Sequence, residues 1–411
     1  MITKPIVIIH IFMLIGLLVL PGTALADGSE SGLVNSRESR EVEMPATLNP
    51  GLNHILDMVA PGNRVAFNTQ AVVPVLDFIA SAKSENDIYV SDNSFNSPSA
   101  YIEFDIKNGM ADLLRLSYNP DIPSNLMTPS SIRLGYWKEI REGEKSFANL
   151  WEQLPDLKDP IVIRGVETVE NTPDIHTGAY YKYDLERTMV LFEHQGKKVF
   201  LSLSRQIGNS MVGKKGVVLG EDEDWNYLYS GEKGINKFGL GWVDSYMYAS
   251  SSIIVYYQTD PGKPQLRCAV FKWLRAGWKN LNMVKNHHIY KGMQRWATDY
   301  KSIVEHPAFP SAGDLTEACS RIERIGLAEL KRINHLYYQS LEKRYAEDKS
   351  VSSKWASKVL RDDSRVEVSD VHELRSVVVV EYLKSVLGKR HSIDVASIIG
   401  LDTEPLQLSK N

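Results

Sequence analysis

The amino-acid sequence predicts an α+β protein in which an antiparallel β-sheet, roughly residues 100–275, is packed by C-terminal helices that include one long helix. Two observations favour this class. Apolar side chains recur mainly every second residue from about 100 to 275, and every 3.6 residues beyond about 285. The strand-like segments follow one another through short turns, which is typical of an antiparallel sheet rather than a parallel βαβ sheet.

The N-terminal residues 1–26 have the pattern of a secretory signal peptide. Lys4 precedes an apolar run at residues 6–20, and residues 24–26 (Ala-Leu-Ala) form a cleavage triplet. The alternative is an uncleaved membrane anchor, but the run is shorter than the roughly 20 residues that a spanning helix needs. We therefore expect cleavage before Asp27, export to the periplasm or the medium, and no membrane span in the mature chain.

The mature chain divides by composition and periodicity into three parts. We expect the polar residues 27–46 to be a flexible segment, because they show no apolar periodicity. Residues 47–285 are predicted to form a sheet-rich unit, with a short helix at residues 52–60. Residues 286–411 are predicted to form a helical unit that packs on the sheet.

Strands are predicted where apolar and polar residues alternate, at residues 100–106, 113–118, 131–137 and 161–166. The clearest hairpin joins residues 189–193 to residues 199–203 through Gln195-Gly196, where glycine supplies the positive φ of a tight turn. A further pair, residues 253–258 and 266–273, is connected through a turn at residues 260–262 (Asp-Pro-Gly).

The helical part is predicted to begin with one long helix. Asp314 and Glu317 fit an N-terminal capping pair. One apolar stripe then runs through Leu315, Ile322, Ile325, Leu330, Ile333, Tyr337, Leu341 and Tyr345. Asp370 and Glu373 open another helix, which is predicted to end near Gly388. The β-branched run at residues 377–380 leaves a strand as the alternative there.

Composition and charge narrow the possible partners. The formal net charge is −4, with 43% hydrophobic and 24% charged residues, which is typical of a folded globular protein. No contiguous basic block indicates a nucleic-acid partner. His287 and His288 are adjacent, so on a helix they point about 100° apart and do not make a metal pair. We expect neither a metal site nor a cofactor.

Three partial motifs lack a required residue. Residues 208–214 have the spacing of a phosphate-binding loop, but Lys215 stands where Ser or Thr is needed and no helix start follows. Ser210 is not within the Gly-x-Ser-x-Gly turn of hydrolases. Residues 221–224 resemble the start of a calcium loop, but Tyr227 replaces the necessary glycine. A solvated acidic loop and an irregular calcium site are the two interpretations left open for residues 221–224.

The two cysteines, Cys268 and Cys319, form a possible disulfide. An even number of cysteines in an oxidising compartment favours a bridge. The alternative is two separate buried thiols, because both residues occupy apolar positions of a strand or helix pattern. The sequence leaves the two possibilities open.

Aromatic residues are concentrated between positions 225 and 300, where they make up about one residue in five against 9% of the whole chain. Their alternation places large side chains on both faces of the sheet. One face could pack on the long helix and the other line an apolar cavity; a thick aromatic core is the alternative. We predict that the ligand-lining residues are Trp242, Tyr246, Tyr248, Trp273 and Trp278.

The order of elements, an antiparallel sheet followed by a long helix, resembles that of helix-grip proteins, which bind lipids and other apolar molecules in their interior. This resemblance is one of element order, without a shared residue motif. The predicted function is non-catalytic binding of an apolar or amphiphilic, lipid-like molecule. The alternatives are a cell-envelope scaffold or assembly protein that acts through protein–protein contacts, and a hydrolase without a recognisable signature.

Overall fold

The computed structural model describes residues 40–401 except 61, 63–64, 85–86, 92–95, 142–148, 238–240, 346–357 and 363, and it describes no side chains for residues 235–242. The predicted signal peptide and residues 27–39 of the polar segment lie outside the described residues. The described residues form one compact unit, in which the helices after residue 286 pack on the sheet.

The described strands are β1 Arg40–Glu43, β2 Asp87–Val90, β3 Ser99–Ile106, β4 Ile132–Ile140, β5 Ile161–Asn171, β6 Ala179–Tyr180, β7 Lys182–His194, β8 Lys197–Gln206, β9 Lys214–Val218, β10 Tyr227–Lys233, β11 Ile235–Lys237, β12 Gly241–Val243, β13 Ser245–Gln258, β14 Leu266–Trp278 and β15 Leu281–Asn282. The described helices are α1 Asn49–Asp57, α2 Thr69–Ala80, α3 Met110–Ser117, α4 Asn286–Val304, α5 Ala312–Glu323, α6 Leu327–Tyr345, α7 Ser364–Val368, α8 Val371–Val386 and α9 Val395–Ile398.

An eight-stranded antiparallel sheet forms the centre of the protein, so the predicted α+β class is confirmed. Its order is β15-β14-β13-β8-β7-β5-β4, with β3 also paired to β14. The hairpin of β7 and β8 turns at Gln195 and Gly196, whose φ angles are 52° and 73°. Two successive positive φ angles match the twist of the flanking strands and fix the register of the hairpin, as predicted.

One predicted strand is wrong: residues 113–118 belong mostly to helix α3. Met110, Leu113 and Leu114 stand three and four residues apart and are all buried on one side of this helix. Leucine and methionine favour helices. A six-residue segment is too short for its apolar pattern to distinguish a strand from a short buried helix, which explains the error.

The single long helix predicted from Asp314 to Tyr345 is also wrong, because the structure has two helices there, α5 and α6. Ser311 is the N-cap of α5, and its Oγ accepts a hydrogen bond from the Asp314 amide at 3.2 Å. The break falls between Arg324 and Gly326, where Gly326 disfavours helix continuation. The apolar stripe continues across the break because both helices bury their side chains in one core.

Helix α8 begins and ends as predicted. The Asp370 carboxylate accepts a hydrogen bond from the Glu373 amide at 2.9 Å, and Gly388 follows the helix with a φ of 66°. Residues 377–380 are helical, so the strand alternative is not realised. Val378 and Val379 are buried, and tertiary packing here outweighs the weak helix preference of valine.

Each face of the large sheet is covered by helices and carries its own hydrophobic core. On one face, which we call the N-terminal face, α1 and α2 pack against side chains such as Val190, Phe271 and Trp273. On the other, the C-terminal face, α3–α9 pack against side chains such as Phe200 and Tyr256. Among the described residues no helix is both long and apolar enough to cross a membrane.

Candidate functional site

A cavity of about 670 Å³ lies between the C-terminal face of the sheet and the helices that cover it. Such a volume is within the range of roughly 300–1,000 Å³ that is usual for small-molecule sites. The sheet contributes Gly135, Trp137, Glu167, Arg187, Met189, Ser202, Ile254 and Tyr256. Helices α4, α5 and α8 form the opposite wall, and the segment from Ser117 to Thr128 closes one side.

The floor of the cavity carries a largely buried ion pair between Arg187 on β7 and Glu167 on β5. Arg187 Nε donates to Glu167 Oε2 at 2.9 Å, and its Nη2 donates to the same oxygen. Arg187 Nη1 donates to Ser202 Oγ at 3.1 Å. Burial opposes the charge of Arg187, but Glu167 outweighs this effect and raises the pKa of the guanidinium above its usual value. The guanidinium is therefore charged, and its hydrogen bonds to two strands of the sheet orient it.

Aromatic side chains form the apolar part of the wall. Trp296 and Tyr300 on α4 are stacked with ring centroids 5.5 Å apart, and Tyr118 packs edge-on against Tyr256 at 6.0 Å. The Tyr300 hydroxyl lies 3.0 Å from Ser117 Oγ. Burial raises the pKa of Tyr118, Tyr256 and Tyr300, so these phenols stay neutral. An apolar wall above a charged floor is suited to an amphiphilic molecule.

The mouth of the cavity is marked by lining residues that are exposed, among them Asp121, Ile140 and Glu323. Tyr136 on β4 stacks on His372 of α8, with centroids 4.3 Å apart and an interplanar angle of 9°. Arg375 Nη2 donates to the Glu323 carbonyl at 2.7 Å and so joins α8 to α5. These contacts tie together the elements that frame the opening.

Gly135 allows the segment 117–128 to approach the sheet closely. A Cβ at this position would collide with Ser124 Oγ and would lie 3.2 Å from Glu167 Oε1. The absence of a side chain on Gly135 therefore sets the shape of the cavity beside Glu167.

A polar row continues from the cavity floor across the sheet. Arg187 is directly opposite Ser204, Ser204 is opposite Ser252, and Ser252 is opposite Lys272. Ser204 Oγ and Ser252 Oγ are 2.6 Å apart. Lys272 Nζ donates to Ser250 Oγ at 2.7 Å. Burial, with a smaller effect of Arg187, lowers the pKa of Lys272 to about 8.

Of the five residues that the sequence predicted as ligand-lining, the four whose side chains the structure describes do not line the cavity. Trp273 is buried in the core of the N-terminal face with α1 and α2. Tyr246 and Tyr248 stack on each other with centroids 6.3 Å apart, and the Tyr248 hydroxyl accepts a hydrogen bond from the Asn280 amide. Trp278 is half-buried beneath Lys279. The side chain of Trp242 lies outside the described residues. A ligand role for this set stays a prediction.

The two cysteines are free thiols, and both are buried. Cys268 lies on β14, whereas Cys319 lines the cavity from α5. Burial raises the pKa of Cys268, and it raises that of Cys319 to about 12. The structure therefore has two separate buried thiols, which is one of the two possibilities that the sequence left open, and not a disulfide.

The residues of the partial motifs make structural contacts. Ser210 Oγ donates to the Met211 carbonyl and accepts from the Met247 amide. Asp222 Oδ2 accepts a hydrogen bond from Arg295 Nε at 2.6 Å, which ties the acidic segment to α4. Within the described part of the chain no group of three or more His, Cys, Asp or Glu residues has the geometry of a metal site.

The residues of the actual cavity were not singled out by the sequence, for a physical reason. Arg187, Glu167 and Ser202 are spread over three strands and meet only through sheet register. A charged residue at an inward position of an otherwise apolar strand was the available signal, since burial of a charge requires a partner.

Comparisons with known proteins give little further guidance. No protein-family model matches the chain, and no curated protein matches its sequence. Among solved structures, the human StarD13 (DLC2) lipid transfer and protein localization domain aligns with 10% identity, covering 58% of this chain and 95% of that domain, at a TM-score of 0.25. An alignment at this TM-score establishes neither a shared fold nor a shared ligand.

Proposed function

We propose that this protein binds an apolar or amphiphilic, lipid-like molecule in the cavity between the sheet and helices α4, α5 and α8. The observation that carries the proposal is the combination of an aromatic wall with a largely buried, oriented ion pair, Arg187–Glu167, on the floor of a cavity of about 670 Å³. The apolar part of the ligand packs against Trp296, Tyr300 and Ile254, and its polar end faces the ion pair.

The contacts of the polar side chains in the cavity support binding rather than chemistry. Ser376 Oγ donates to the Arg133 carbonyl, and Ser202 Oγ accepts from Arg187. His372 is stacked on Tyr136. A serine nucleophile requires a base within hydrogen-bond reach. The hydrogen-bond partners of these two serines include a carbonyl oxygen, the Asn125 amide and an arginine, which suits a site that holds a molecule unchanged.

We also propose that the chain is exported and cleaved after Ala26, on the basis of the basic start, the apolar run and the Ala-Leu-Ala triplet at residues 24–26. The expected mature protein begins at Asp27 and is periplasmic or secreted. The intact mass of the protein recovered from its own host tests this: a mass that includes residues 1–26 would contradict cleavage.

Competition with a fluorescent fatty-acid probe tests the binding proposal. Fatty acids, lysophospholipids and sterols are titrated against the probe on the wild-type protein and on Ile254→Trp, which fills the cavity from the sheet side. We expect at least one class to displace the probe from the wild-type protein, and Ile254→Trp to weaken probe binding at least roughly tenfold through steric exclusion.

Leu336→Trp is the matched control, because Leu336 is exposed on α6 and does not line the cavity. It should bind the probe as the wild-type protein does. Thermal unfolding of both variants checks that they are folded. Equal probe affinity of Ile254→Trp and the wild-type protein would contradict binding in this cavity.

A further inference from the structure

One end of the large sheet carries exposed apolar side chains that the cavity does not use. Leu281 and Met283 follow the turn between β14 and β15 and are 58% and 54% exposed. Met211, from the connection between β8 and β9, is 59% exposed. Large apolar side chains that are exposed together mark an interaction surface, whereas scattered ones need no explanation.

Backbone hydrogen bonds place these side chains at one end of the sheet. The Ser210 amide donates to the Met247 carbonyl, Met247 is paired with Ala276, and the Met283 amide donates to the Ala276 carbonyl. The segment that contains Ser210 and the segment that contains Met283 are three strand spacings of about 4.8 Å apart, which is roughly 14 Å. The apolar residues therefore lie at the same end of the sheet.

Aromatic residues that the sequence had singled out lie at the same end. Tyr246 is opposite Gly277, and Met283 Cγ is 3.1 Å from the position that a Cβ of Gly277 would take. Tyr246 and Met283 therefore lie on the same face of the sheet. Half-buried Trp278 is paired with Leu281, and by alternation these two side chains point to the other face at the same end of the sheet. Tyrosine and tryptophan are the residues enriched where protein meets the lipid headgroup region.

The surface lies within a basic part of the chain. Residues 261–298 contain eight Lys and Arg residues and no Asp or Glu, although the whole chain has a net charge of −4. Lys263, Arg267 and Arg295 pair with Asp260, Asp105 and Asp222, so Lys279 and Lys285 supply the positive charge at this end. Lys279 and Lys285 flank Leu281 and Met283 and are exposed. An exposed acid, Asp244, precedes β13 at this end. The cations stand several residues apart, which is why no contiguous block marks them in the sequence.

We propose that this end of the sheet, which presents Met211, Tyr246, Lys279, Leu281, Met283 and Lys285, docks on an anionic lipid bilayer. Apolar side chains beside lysines, with a tyrosine at the border, match the two contributions to interfacial binding, burial of apolar groups and attraction to anionic headgroups. An acidic protein surface would satisfy the lysines but would leave less reason for exposed leucine and methionine. The proposal goes beyond ligand binding and does not depend on an occupied cavity.

Vesicle sedimentation tests the docking. The full chain, as its host produces it, is mixed with phosphatidylcholine vesicles or with vesicles that also contain phosphatidylglycerol. Every variant carries the same N-terminus, so any contribution of residues 1–26 is common to all. We expect the wild-type protein to sediment with the anionic vesicles more than with the neutral ones, and less at high salt.

Two double variants separate the two contributions. Lys279→Gln with Lys285→Gln should weaken binding to anionic vesicles by roughly tenfold or more. Leu281→Ser with Met283→Ser should weaken it by a similar factor, since both lose buried apolar area. The matched controls are Lys158→Gln with Lys343→Gln, and Leu327→Ser with Leu336→Ser, at exposed positions elsewhere. The controls should bind as the wild-type protein does.

Several outcomes would overturn the proposal. They are the failure of the wild-type protein to bind anionic vesicles, equal binding to neutral vesicles, and unchanged binding of the two surface variants. If the wild-type protein does not bind anionic vesicles, an acidic protein surface is the binding partner to test next. Loss of vesicle binding with intact probe binding in the cavity separates this proposal from the proposed function.

Discussion

Arg187 and Glu167 form the charged floor of the cavity, and their burial makes the pair sensitive to single substitutions. Their side chains are 16% and 7% exposed. We expect Arg187→Met to lower the free energy of unfolding by about 3–5 kcal/mol, because it leaves the Glu167 carboxylate buried without its cation. Urea unfolding at neutral pH measures this loss.

The double variant Arg187→Met with Glu167→Leu is the control for that prediction. Removing both charges should restore most of the lost stability, since a buried pair is often replaceable by apolar groups. If the single and double variants unfold at the same denaturant concentration, the cost comes from packing rather than from an unpaired carboxylate.

Lys272 gives a prediction of pH dependence. Burial lowers its folded-state pKa to about 8 from an ordinary value of 10.5. Between these two pH values the unfolded chain binds more protons than the folded one, so this residue makes stability rise with pH; below pH 8 its destabilising effect is complete. We expect Lys272→Met to lack that rise. The free energy of unfolding, measured at neutral pH and near pH 10 for both proteins, tests this. An equal increase between the two pH values in the wild-type protein and in Lys272→Met would contradict the prediction.

At the scale of elements, the β7–β8 hairpin depends on a glycine in the left-handed region. Gly196 has a φ of 73° and open space around its Cα, so Gly196→Ala should cost about 1–2 kcal/mol through backbone strain alone. Gly292 is exposed within helix α4 and also has no neighbour near a Cβ position. Gly292→Ala should therefore stabilise the protein by roughly 0.5–1 kcal/mol.

The thermal unfolding temperatures of Gly196→Ala and Gly292→Ala test both predictions. Opposite signs are expected, because the two alanines differ in backbone conformation and not in packing. A stabilising Gly196→Ala would show that the turn does not hold its positive φ angle.

Several elements could be predicted from the sequence because local signals decide them. The Gln195-Gly196 turn and the Asp370 cap each depend on residues within a few positions of one another. Helix α3 was predicted as a strand, and α5 and α6 as one helix, because packing in the C-terminal core decides these elements. Register across β5, β7, β8 and β13 brings the cavity residues together, and no pattern within one strand predicts it.

At the scale of the whole molecule, the sheet is covered on both faces, yet the two sides differ. The N-terminal face is a packed core that contains Trp273, whereas the C-terminal face leaves the cavity between sheet and helices. The concentration of aromatic residues predicted from the sequence is therefore divided among a core, a cavity wall and one end of the sheet. Among the members of that set whose side chains are described, Tyr256, Trp296 and Tyr300 line the cavity.

The central claim is that this cavity holds a lipid-like molecule, and native mass spectrometry of the protein purified gently from its own host tests it most directly. We predict that the wild-type protein carries an additional mass that solvent extraction removes, and that Ile254→Trp, prepared in the same way, carries none. A wild-type protein that shows only the mass of its own chain, or an Ile254→Trp variant that retains the same additional mass, would contradict the claim.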